Sequence, residues 1–311
     1  MALARHPVRV VQLAATVGCF VLLWRLADGA AALRHLAAAN GFWVGAAFAA
    51  LTLQTLLSAL RWRLTAAQLG IALDRRTAVS EYYLAQLVNQ LVPGGVLGDA
   101  GRALRARVQA GLLASGQAVL FERLAGQLAL LLVFGAGVAS TMAVPGGFDW
   151  PGRGLPLVLL AGAGGALVLC CSVGRLPGRP GRVLANFGAG FLHAVAAPEV
   201  RARQVAMSLG TALCNIAAFA CCAAAIGVSL SPAAAPVLVP LILFTMLVPV
   251  TVSGWGLREG AAASLLPLAG ASAAEGLAAS VVFGLAVVAS ALPGLVALTR
   301  AATPGPARRA R

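Results

Sequence analysis

The chain has 311 residues, of which 60% are hydrophobic and only 10% are charged. A soluble globular domain carries about 25% charged residues, so this composition excludes a soluble protein and predicts an all-α, polytopic membrane helix bundle that forms one domain over 1–311. The net charge of +14 is the difference between 23 basic residues, all of them arginine, and 9 acidic residues. Without lysine there is no P-loop nucleotide site, and the apolar bulk argues against a nucleic acid partner.

Six apolar stretches are long enough to span a bilayer, which takes about 20 apolar residues. They cover 8–27, 41–60, 118–144, 155–173, 205–228 and 276–299. The first follows Arg5 and Arg9 and has features of a secretory signal peptide, but the membrane character of the remaining chain favours an uncleaved first helix. Segment 179–197 is polar enough to leave the bilayer, and fits either a short helix on its surface or a cytoplasmic loop.

Arginines in the short connections predict the orientation of the chain, because positive charge accumulates on the cytoplasmic side. They mark one face at the N-terminus, near 61–76, between 175 and 203, and in a basic tail at 304–311. Both termini are therefore predicted to be cytoplasmic, with the bundle in the plasma or inner membrane. Two explanations fit the use of arginine without lysine: arginine binds phosphate better than lysine does, and GC-rich coding favours arginine codons.

Two regions are apolar but interrupted. Region 77–116 contains Pro93 and several glycines up to Gly98, and region 233–271 contains Pro249 and Gly254. Neither is predicted to be a plain spanning helix, and both re-entrant and fully spanning arrangements fit the sequence.

The interrupted regions resemble each other. Segments 91–102 and 247–258 align without a gap at an offset of 156 residues, with Leu, Val, Pro, Val, Gly and Arg in common. The offset also carries 118–144 onto 274–300, which indicates repeat halves of about 1–150 and 151–303. Each half has three full crossings and one broken segment, and an odd number of crossings makes the second copy face the opposite side of the membrane. Such an inverted repeat is typical of transporters. The alternative is two unrelated Pro/Gly breaks.

Arg102 and Arg258 occupy equivalent positions in the two copies. An arginine at the centre of a membrane helix costs about 2.5–3.5 kcal/mol on insertion scales, so it is expected to face protein, water or a ligand. Asp99 is predicted to cap a helix and to pair with Arg102 three residues later; the second copy has Trp255 there, and Glu259 follows Arg258. Such a helix start suits an anionic head group. The alternative is a solvated cytoplasmic helix.

Further polar residues lie near the first break and one turn inside the third span. Glu122 and Arg123 need partners there, either for structural ion pairing or for function. A polar stripe approaches the break and fits either a water-filled path or the membrane interface. The stripe comprises Glu81, Tyr82, Tyr83, Gln86, Asn89 and Gln90.

Signatures of enzymes and of metal sites are missing. There is no GxSxG elbow and no HExxH motif, and the six cysteines lie in apolar stretches, where they fit packing. The three histidines are far apart. We therefore expect neither a metal nor another cofactor, and no enzymatic activity.

The assembled motifs resemble the membrane region of the lysylphosphatidylglycerol synthases, a flippase-like family that also occurs as stand-alone membrane domains. The resemblance rests on 89–102, on Val119–Leu124 with its adjacent acidic residue and arginine, and on 248–260. In order and spacing it spans nearly the whole chain. The candidate lipid-binding residues are the charged and polar residues of these motifs named above, Trp255, and the break residues Pro93, Gly98, Pro249 and Gly254.

The resemblance implies movement or handling of a lipid with an anionic head group, such as a phospholipid, a polyprenyl lipid or a glycolipid. A short tail follows the last span, so we expect no counterpart of the aminoacyl-transferring domain of the family and no lipid aminoacylation by this chain. The alternative is a non-transporting partner that presents lipid to a separate synthase or glycosyltransferase.

Overall fold

A computed structural model of the chain describes residues 6–92, 95–143, 150, 152, 154, 158, 161–162, 165, 178–248 and 250–302. These residues form helices joined by short connections, with no strand among them, which confirms the all-α prediction. The helices are α1 (His6–Leu26), α2 (Gly29–Ala37), α3 (Gly41–Gln68), α4 (Arg75–Leu91), α5 (Leu97–Ala143), α6 (Gly178–Ala196), α7 (Arg201–Ala225), α8 (Ala235–Phe244), α9 (Leu257–Leu265), α10 (Ala273–Ala291) and α11 (Gly294–Ala302).

Four helical segments are long and apolar enough to cross a membrane: α3, α5, α7 and Ala273–Thr299, which joins α10 to α11. A fifth span results if α1 and α2, which meet at 92°, are counted as one bent segment. The predicted membrane helix bundle is confirmed. The predicted stretch 155–173 lies mainly outside the described residues, so the count of about six spans stays a prediction.

The first interrupted region is a helix, a turn and a second helix. Helix α4 ends at Leu91 and α5 begins at Leu97, so Asp99 lies in the first turn of α5 and the prediction that it is the N-cap is wrong. Asn89 takes this role instead, because its side-chain oxygen accepts a hydrogen bond from the Gly98 N–H at 2.7 Å. The Asp99 carboxylate is thereby left for charged partners. The predicted break residue Pro93 lies outside the described residues.

Helix α5 is interrupted at Gly111, whose φ of 80° and ψ of 170° are not helical. Glycine adopts a positive φ without the steric cost of a side chain. A straight helix of 47 residues would measure about 70 Å, more than twice the thickness of the hydrocarbon core. Gly111 therefore separates a leading segment, 97–110, from a segment long enough to span, 112–143.

The second interrupted region has more breaks. Helix α8 passes into a 3₁₀ turn at Thr245–Leu247, and a second turn, Val252–Gly254, precedes α9. Ser253 has a φ of 51°, a backbone conformation that non-glycine residues rarely adopt. Pro249 lies outside the described residues.

The bounds of the helices agree with the offset of 156 residues, and the repeat itself stays a prediction. Adding 156 residues to the bounds of an element in the first half reproduces an element of the second half. The corresponding pairs are α3 with α7, α4 with α8 and its following 3₁₀ turn, 97–110 with α9, and 112–143 with α10 and α11. Helix α3 packs on α5 as α7 packs on α10, and α3 and α7 pack against each other. The opposite orientation of the two halves in a bilayer stays a prediction.

Helices α1, α2 and α6 lie outside these pairs. Helix α1 packs on the second interrupted region, where the Thr16 hydroxyl accepts a hydrogen bond from the Val252 N–H at 3.0 Å. Whether this helix is retained or removed as a signal peptide stays a prediction. The segment predicted as a surface helix or a loop is helical, and its Phe187 and Phe191 rings pack on Phe121 of α5, with centroids 5.0 and 5.6 Å away.

Candidate functional site

A cavity of about 380 Å³ lies between the two halves. Its walls come from α3, α4, α5, α7, α10 and both interrupted regions, and they combine apolar side chains with many polar ones. The polar and charged lining residues are Gln54, Ser58, Arg61, Tyr82, Gln86, Asn89, Gln90, Asp99, Glu122, Arg123, Gln127, Thr211, Asn215, Thr251 and Ser253. A polar cavity inside an otherwise apolar bundle is the arrangement expected of a path or binding site for a polar group.

The two interrupted regions meet at this cavity. The Ser253 hydroxyl donates a hydrogen bond to Oε1 of Gln90 at 3.0 Å. A Cβ atom placed on Gly95 would lie 4.0 Å from the Ser253 Cα. The breaks of the two repeat halves therefore form neighbouring parts of one wall, although 163 residues separate Gln90 from Ser253.

Five charged residues form one connected group, which we call the charge cluster: Arg61, Asp99, Arg102, Glu122 and Arg123. Oε1 of Glu122 accepts a hydrogen bond from Nη2 of Arg61 at 2.6 Å, and Oε2 accepts one from Nη2 of Arg102 at 3.0 Å. Oδ1 of Asp99 lies 2.9 Å from Nη2 of Arg102, and Oδ2 is paired with Arg123. Helix α3 contributes Arg61, and the two parts of α5 contribute the other four members.

Burial explains why the cluster is connected. Glu122 is fully buried and Arg102 is 1% exposed, and an unpaired charge in such surroundings is strongly destabilising. The Arg102 guanidinium also lies near two aromatic rings, 4.8 Å from the Trp62 centroid and 4.6 Å from that of Tyr82. Arg123 differs, because its side chain is 44% exposed. It is the member of the cluster most accessible to a bound group.

Arg258 occupies a similar environment in the second half. It is 1% exposed, is paired with Glu259, and donates a hydrogen bond from Nε to the Ser280 hydroxyl at 3.0 Å. Its guanidinium lies near Trp255 and Phe283, with centroids at 4.9 and 5.4 Å. Arg102 and Arg258, 156 residues apart, are therefore both buried, both paired with carboxylates and both in cation–π contact with two aromatic rings.

Of the residues predicted to bind substrate, some line the cavity and others do not. The lining members are Asn89, Gln90, Asp99, Glu122, Arg123 and Gly254, and the members that do not line it are Gly98, Arg102, Trp255, Arg258 and Glu259. Pro93 and Pro249 lie outside the described residues. The phosphate-binding role predicted for Arg102 and Arg258 stays a prediction, and the arginines that line the cavity are Arg61 and Arg123.

Arg61 was the main residue missed from the sequence. The prediction that it belongs to a cytoplasmic connection is wrong, because it lies inside α3 and is 4% exposed. It also donates a hydrogen bond to the Thr211 hydroxyl at 2.9 Å. A signal was available in the sequence. Gln54, Ser58 and Arg61 recur at helical spacing in a largely apolar run, which places them on one face of α3.

Two buried polar atoms of lining residues have no hydrogen-bond partner: Nε of Arg61 and Oγ1 of Thr251. Buried polar atoms are nearly always satisfied, so each exception calls for a bound group or water. The described residues contain no group of three or more His, Cys, Asp or Glu side chains that could hold a metal ion.

Comparison with known proteins assigns the chain to a family. No curated protein and no solved structure matches it. The family described as "Lysylphosphatidylglycerol synthase TM region" matches residues 9–294. This match covers all the helices that line the cavity, both interrupted regions and the charge cluster. The chain therefore belongs to the family of the lysylphosphatidylglycerol synthase TM region.

Proposed function

We propose that this protein is a flippase-like transporter that moves the head group of an anionic lipid between membrane leaflets through the cavity. Family membership relates the chain to lipid handling in membranes. The observation that supports movement of a lipid head group is the charge cluster at a polar cavity lined by the two interrupted regions.

The arginines of the cavity wall supply the attraction for an anion. Arg123 is half-exposed, and Arg61 has an unpartnered Nε at the wall. Guanidinium groups bind phosphate through directed, charge-assisted hydrogen bonds. Such bonds are stronger in a site shielded from water than at a membrane surface, so the cavity offers a phosphate a stable stopping point within the bundle.

The breaks supply the possibility of movement. Transporters built from repeats bind substrate between discontinuous helices and expose the site by rocking one half against the other. Here the two breaks meet in the cavity wall through the hydrogen bond between Ser253 and Gln90. A separation of these two segments would open the cavity, while the buried ion pairs stay intact.

We further propose that the protein lies in the plasma or inner membrane with both termini cytoplasmic, and that it performs no covalent chemistry. Arginines accumulate at the ends of the chain and in the connections on one side, in agreement with the positive-inside rule. Both cavity carboxylates, Asp99 and Glu122, are already held by arginines. This leaves neither of them free as a general base.

The test is a translocation assay in proteoliposomes. Phosphatidylglycerol with a fluorescent acyl chain is placed in both leaflets, and a membrane-impermeant quencher reports the fraction that reaches the outer leaflet. We expect rapid exposure of inner-leaflet lipid by the intact chain and at least a tenfold slower rate for Arg123→Gln, the loss expected for a charged hydrogen bond.

The matched control is Arg107→Gln, which removes one charge from an exposed side chain of the same helix outside the cavity. Its rate should equal that of the intact chain. Retention of the helical circular dichroism spectrum and of a monodisperse elution profile shows that both variants are folded. No exposure above empty liposomes for several anionic lipids contradicts the proposal and favours a partner that presents lipid to a separate enzyme. A normal rate for Arg123→Gln contradicts the assigned site.

A further inference from the structure

The N-terminal helices pack on the opposite end of the chain. Helix α2 packs on α10, and the main contacts of α1 among the described residues are with α2, with α9 and with the turn Val252–Gly254. In the connection that follows α2, the Asn40 N–H donates a hydrogen bond to the Ala225 carbonyl at 2.7 Å. Helices α1 and α2 therefore precede α3 in the sequence but belong by packing to the elements after residue 225.

The exchange is reciprocal. Helix α6 follows α5 in the chain and packs on α3 and α5 as well as on α7. A Cβ atom placed on Gly190 of α6 would lie 3.5 Å from the Phe121 ring of α5. The offset of 156 residues places α2 at 185–193, within α6. The same arrangement thus occurs twice, with α2 on α10 and α6 on α5.

One face of α1 contacts the second interrupted region. Residues at positions i, i+3, i+4 and i+7 share a face of a helix, and in α1 these residues are Thr16, Cys19, Phe20 and Leu23. The Thr16 hydroxyl accepts the hydrogen bond from the Val252 N–H at 3.0 Å. The ring centroids of Phe20 and Trp255 lie 6.0 Å apart. The face therefore meets both the backbone and the side chains of the second break.

Glycine allows α1 to come this close. Gly256 has a φ of 91°, and a Cβ atom placed on it would lie 2.6 Å from the Cβ of Cys19. Any larger residue at 256 would push α1 away from the break. One turn further along, a Cβ atom on Gly260 would lie 3.6 Å from Cδ2 of Leu23, which is an ordinary contact. The contact thus extends from the second break into α9.

The second break is held differently by the first break. The Ser253 hydroxyl bonds to the Gln90 side chain, and Gly95 lies nearby. All three residues line the cavity, where water or a bound head group can take over a hydrogen bond. Ser253 also has a φ of 51°, and such a backbone persists only when its surroundings hold it. The bond from the adjacent Val252 to Thr16 supplies part of that support.

We propose that α1 and α2 move as one rigid body with the second interrupted region and α10 when the two breaks separate. Helix α9 packs on α10, which joins the two contact areas of the N-terminal helices. The boundary of the moving body then crosses the chain between α2 and α3. The proposal rests on the proposed function for the separation of the breaks, and adds which helices move together.

The first test does not depend on transport. Thr16→Val removes the acceptor for the Val252 N–H, and hydrogen exchange is measured by mass spectrometry on the full chain in detergent. If α1 and the second break form one body, exchange should become about threefold to tenfold faster in both 12–23 and 252–260, the effect of one lost hydrogen bond. Exchange in the first break, 89–102, should stay unchanged.

Thr52→Val is the matched control. The hydroxyl of Thr16 donates to the Gln12 carbonyl at 2.8 Å, and that of Thr52 donates to the Phe48 carbonyl at the same distance. Both substitutions therefore remove the same bond within a helix, but Thr52 lies on an exposed part of α3. Unchanged exchange in 252–260 for Thr16→Val, or an equal change for Thr52→Val, overturns the proposal.

The second test links α1 to α9. In a background without the native cysteines, Leu23→Cys and Gly260→Cys are joined by a short bifunctional thiol reagent. The rate of phosphatidylglycerol exposure in proteoliposomes should stay unchanged, because the link joins two parts of one body. The same reagent at Gln90→Cys and Ser253→Cys joins two bodies and should stop exposure.

The outcomes separate this proposal from the proposed transport. A slowing of about tenfold or more by the link between α1 and α9 overturns the shared body, because α1 must then leave the second break for transport to proceed. No lipid exposure by the protein without a link rejects the proposed transport. Parallel changes of exchange in 12–23 and 252–260 in that same protein would still support one body.

Discussion

Nη2 of Arg61 lies 2.6 Å from Oε1 of Glu122, and both side chains are shielded from solvent although 61 residues separate them. Helix α3 supplies the arginine, and the spanning part of α5 supplies the carboxylate. Glu122 also binds Arg102 through its other oxygen. It is therefore the central residue of the charge cluster, and its neutralisation leaves two buried guanidinium groups with a weaker partner.

Substitution of Glu122 should destabilise the protein strongly. We expect Glu122→Gln to lower the free energy of unfolding by about 3–5 kcal/mol, because removal of one partner from a buried ion pair leaves an uncompensated charge. Thermal unfolding in detergent, followed by circular dichroism, measures the change. The matched control is Glu81→Gln, which breaks a more exposed pair with Arg105 and should cost about 1 kcal/mol or less. Equal effects of the two substitutions would contradict the central role of Glu122.

Gly98 is required for close packing of the first break. A Cβ atom at this position would overlap the backbone of Ala85 in α4, so Gly98→Ala should lower the free energy of unfolding by about 1–3 kcal/mol, the usual cost of overpacking. Gly116→Ala is the control on the same helix, because open space surrounds it. It should be neutral or stabilise by about 0.5–1 kcal/mol. Equal melting temperatures for both variants would contradict the close approach.

A cross-link between the two breaks should stop transport. In a background without the native cysteines, Gln90→Cys and Ser253→Cys place thiols where the native side chains are hydrogen-bonded. A short bifunctional thiol reagent should then reduce phosphatidylglycerol exposure in proteoliposomes by about tenfold or more if the segments must separate. The single variants with the same reagent are the controls. Unchanged transport by the fully cross-linked protein would show that the breaks do not move apart.

Asp74 gives a pH-dependent helix start outside the spans. Its carboxylate caps α4, accepting from the backbone N–H groups of Arg76 and Thr77 at 3.0 and 3.1 Å, and hydrogen bonds from Thr77 hold the pKa of Asp74 below its ordinary value of 3.8. The contribution is therefore complete above pH 3.8 and is lost as the pH falls further, when the carboxylate is protonated.

Hydrogen exchange of the first turn of α4 measures this dependence. Exchange should accelerate below pH 3.8 relative to Asp74→Asn, whose side chain caps a helix about as well but does not titrate. Both proteins must be corrected for the intrinsic pH dependence of exchange with an unstructured peptide. A constant ratio of protection factors between the two proteins across this range would contradict the role of the carboxylate.

Local patterns in the sequence predicted most of the fold. The apolar runs at 41–60 and 205–228 identify α3 and α7 because a spanning helix exposes apolar side chains to lipid along its whole length. The shared Pro, Gly and Arg positions predicted two matching breaks, and the helices repeat at the same offset. These features depend on residues that are close together in the chain, or on two segments whose sequences can be aligned directly.

The candidate site depended on contacts that spacing does not reveal. Asp99 and Arg102 were expected to pair because they lie three residues apart, and they do so at 2.9 Å. The partners Glu122 and Arg61 come from other parts of the bundle, and only tertiary packing brings them together. The orientation rule counts arginines near helix ends, which is why Arg61 was assigned to a cytoplasmic loop. A side chain within a turn or two of a helix end satisfies that count even when it points into a cavity.

The contact between α3 and α7 also has a consequence for biosynthesis. Arg61 donates to Thr211, which follows it by 150 residues, and Gln204 donates to Thr65 across 139 residues. At about 5–20 residues per second, the ribosome makes Arg61 roughly 8–30 s before Thr211. The first half therefore waits in the membrane with an incomplete polar interior. Chains that stall or end before the second half is made should therefore be recognised by quality-control proteases.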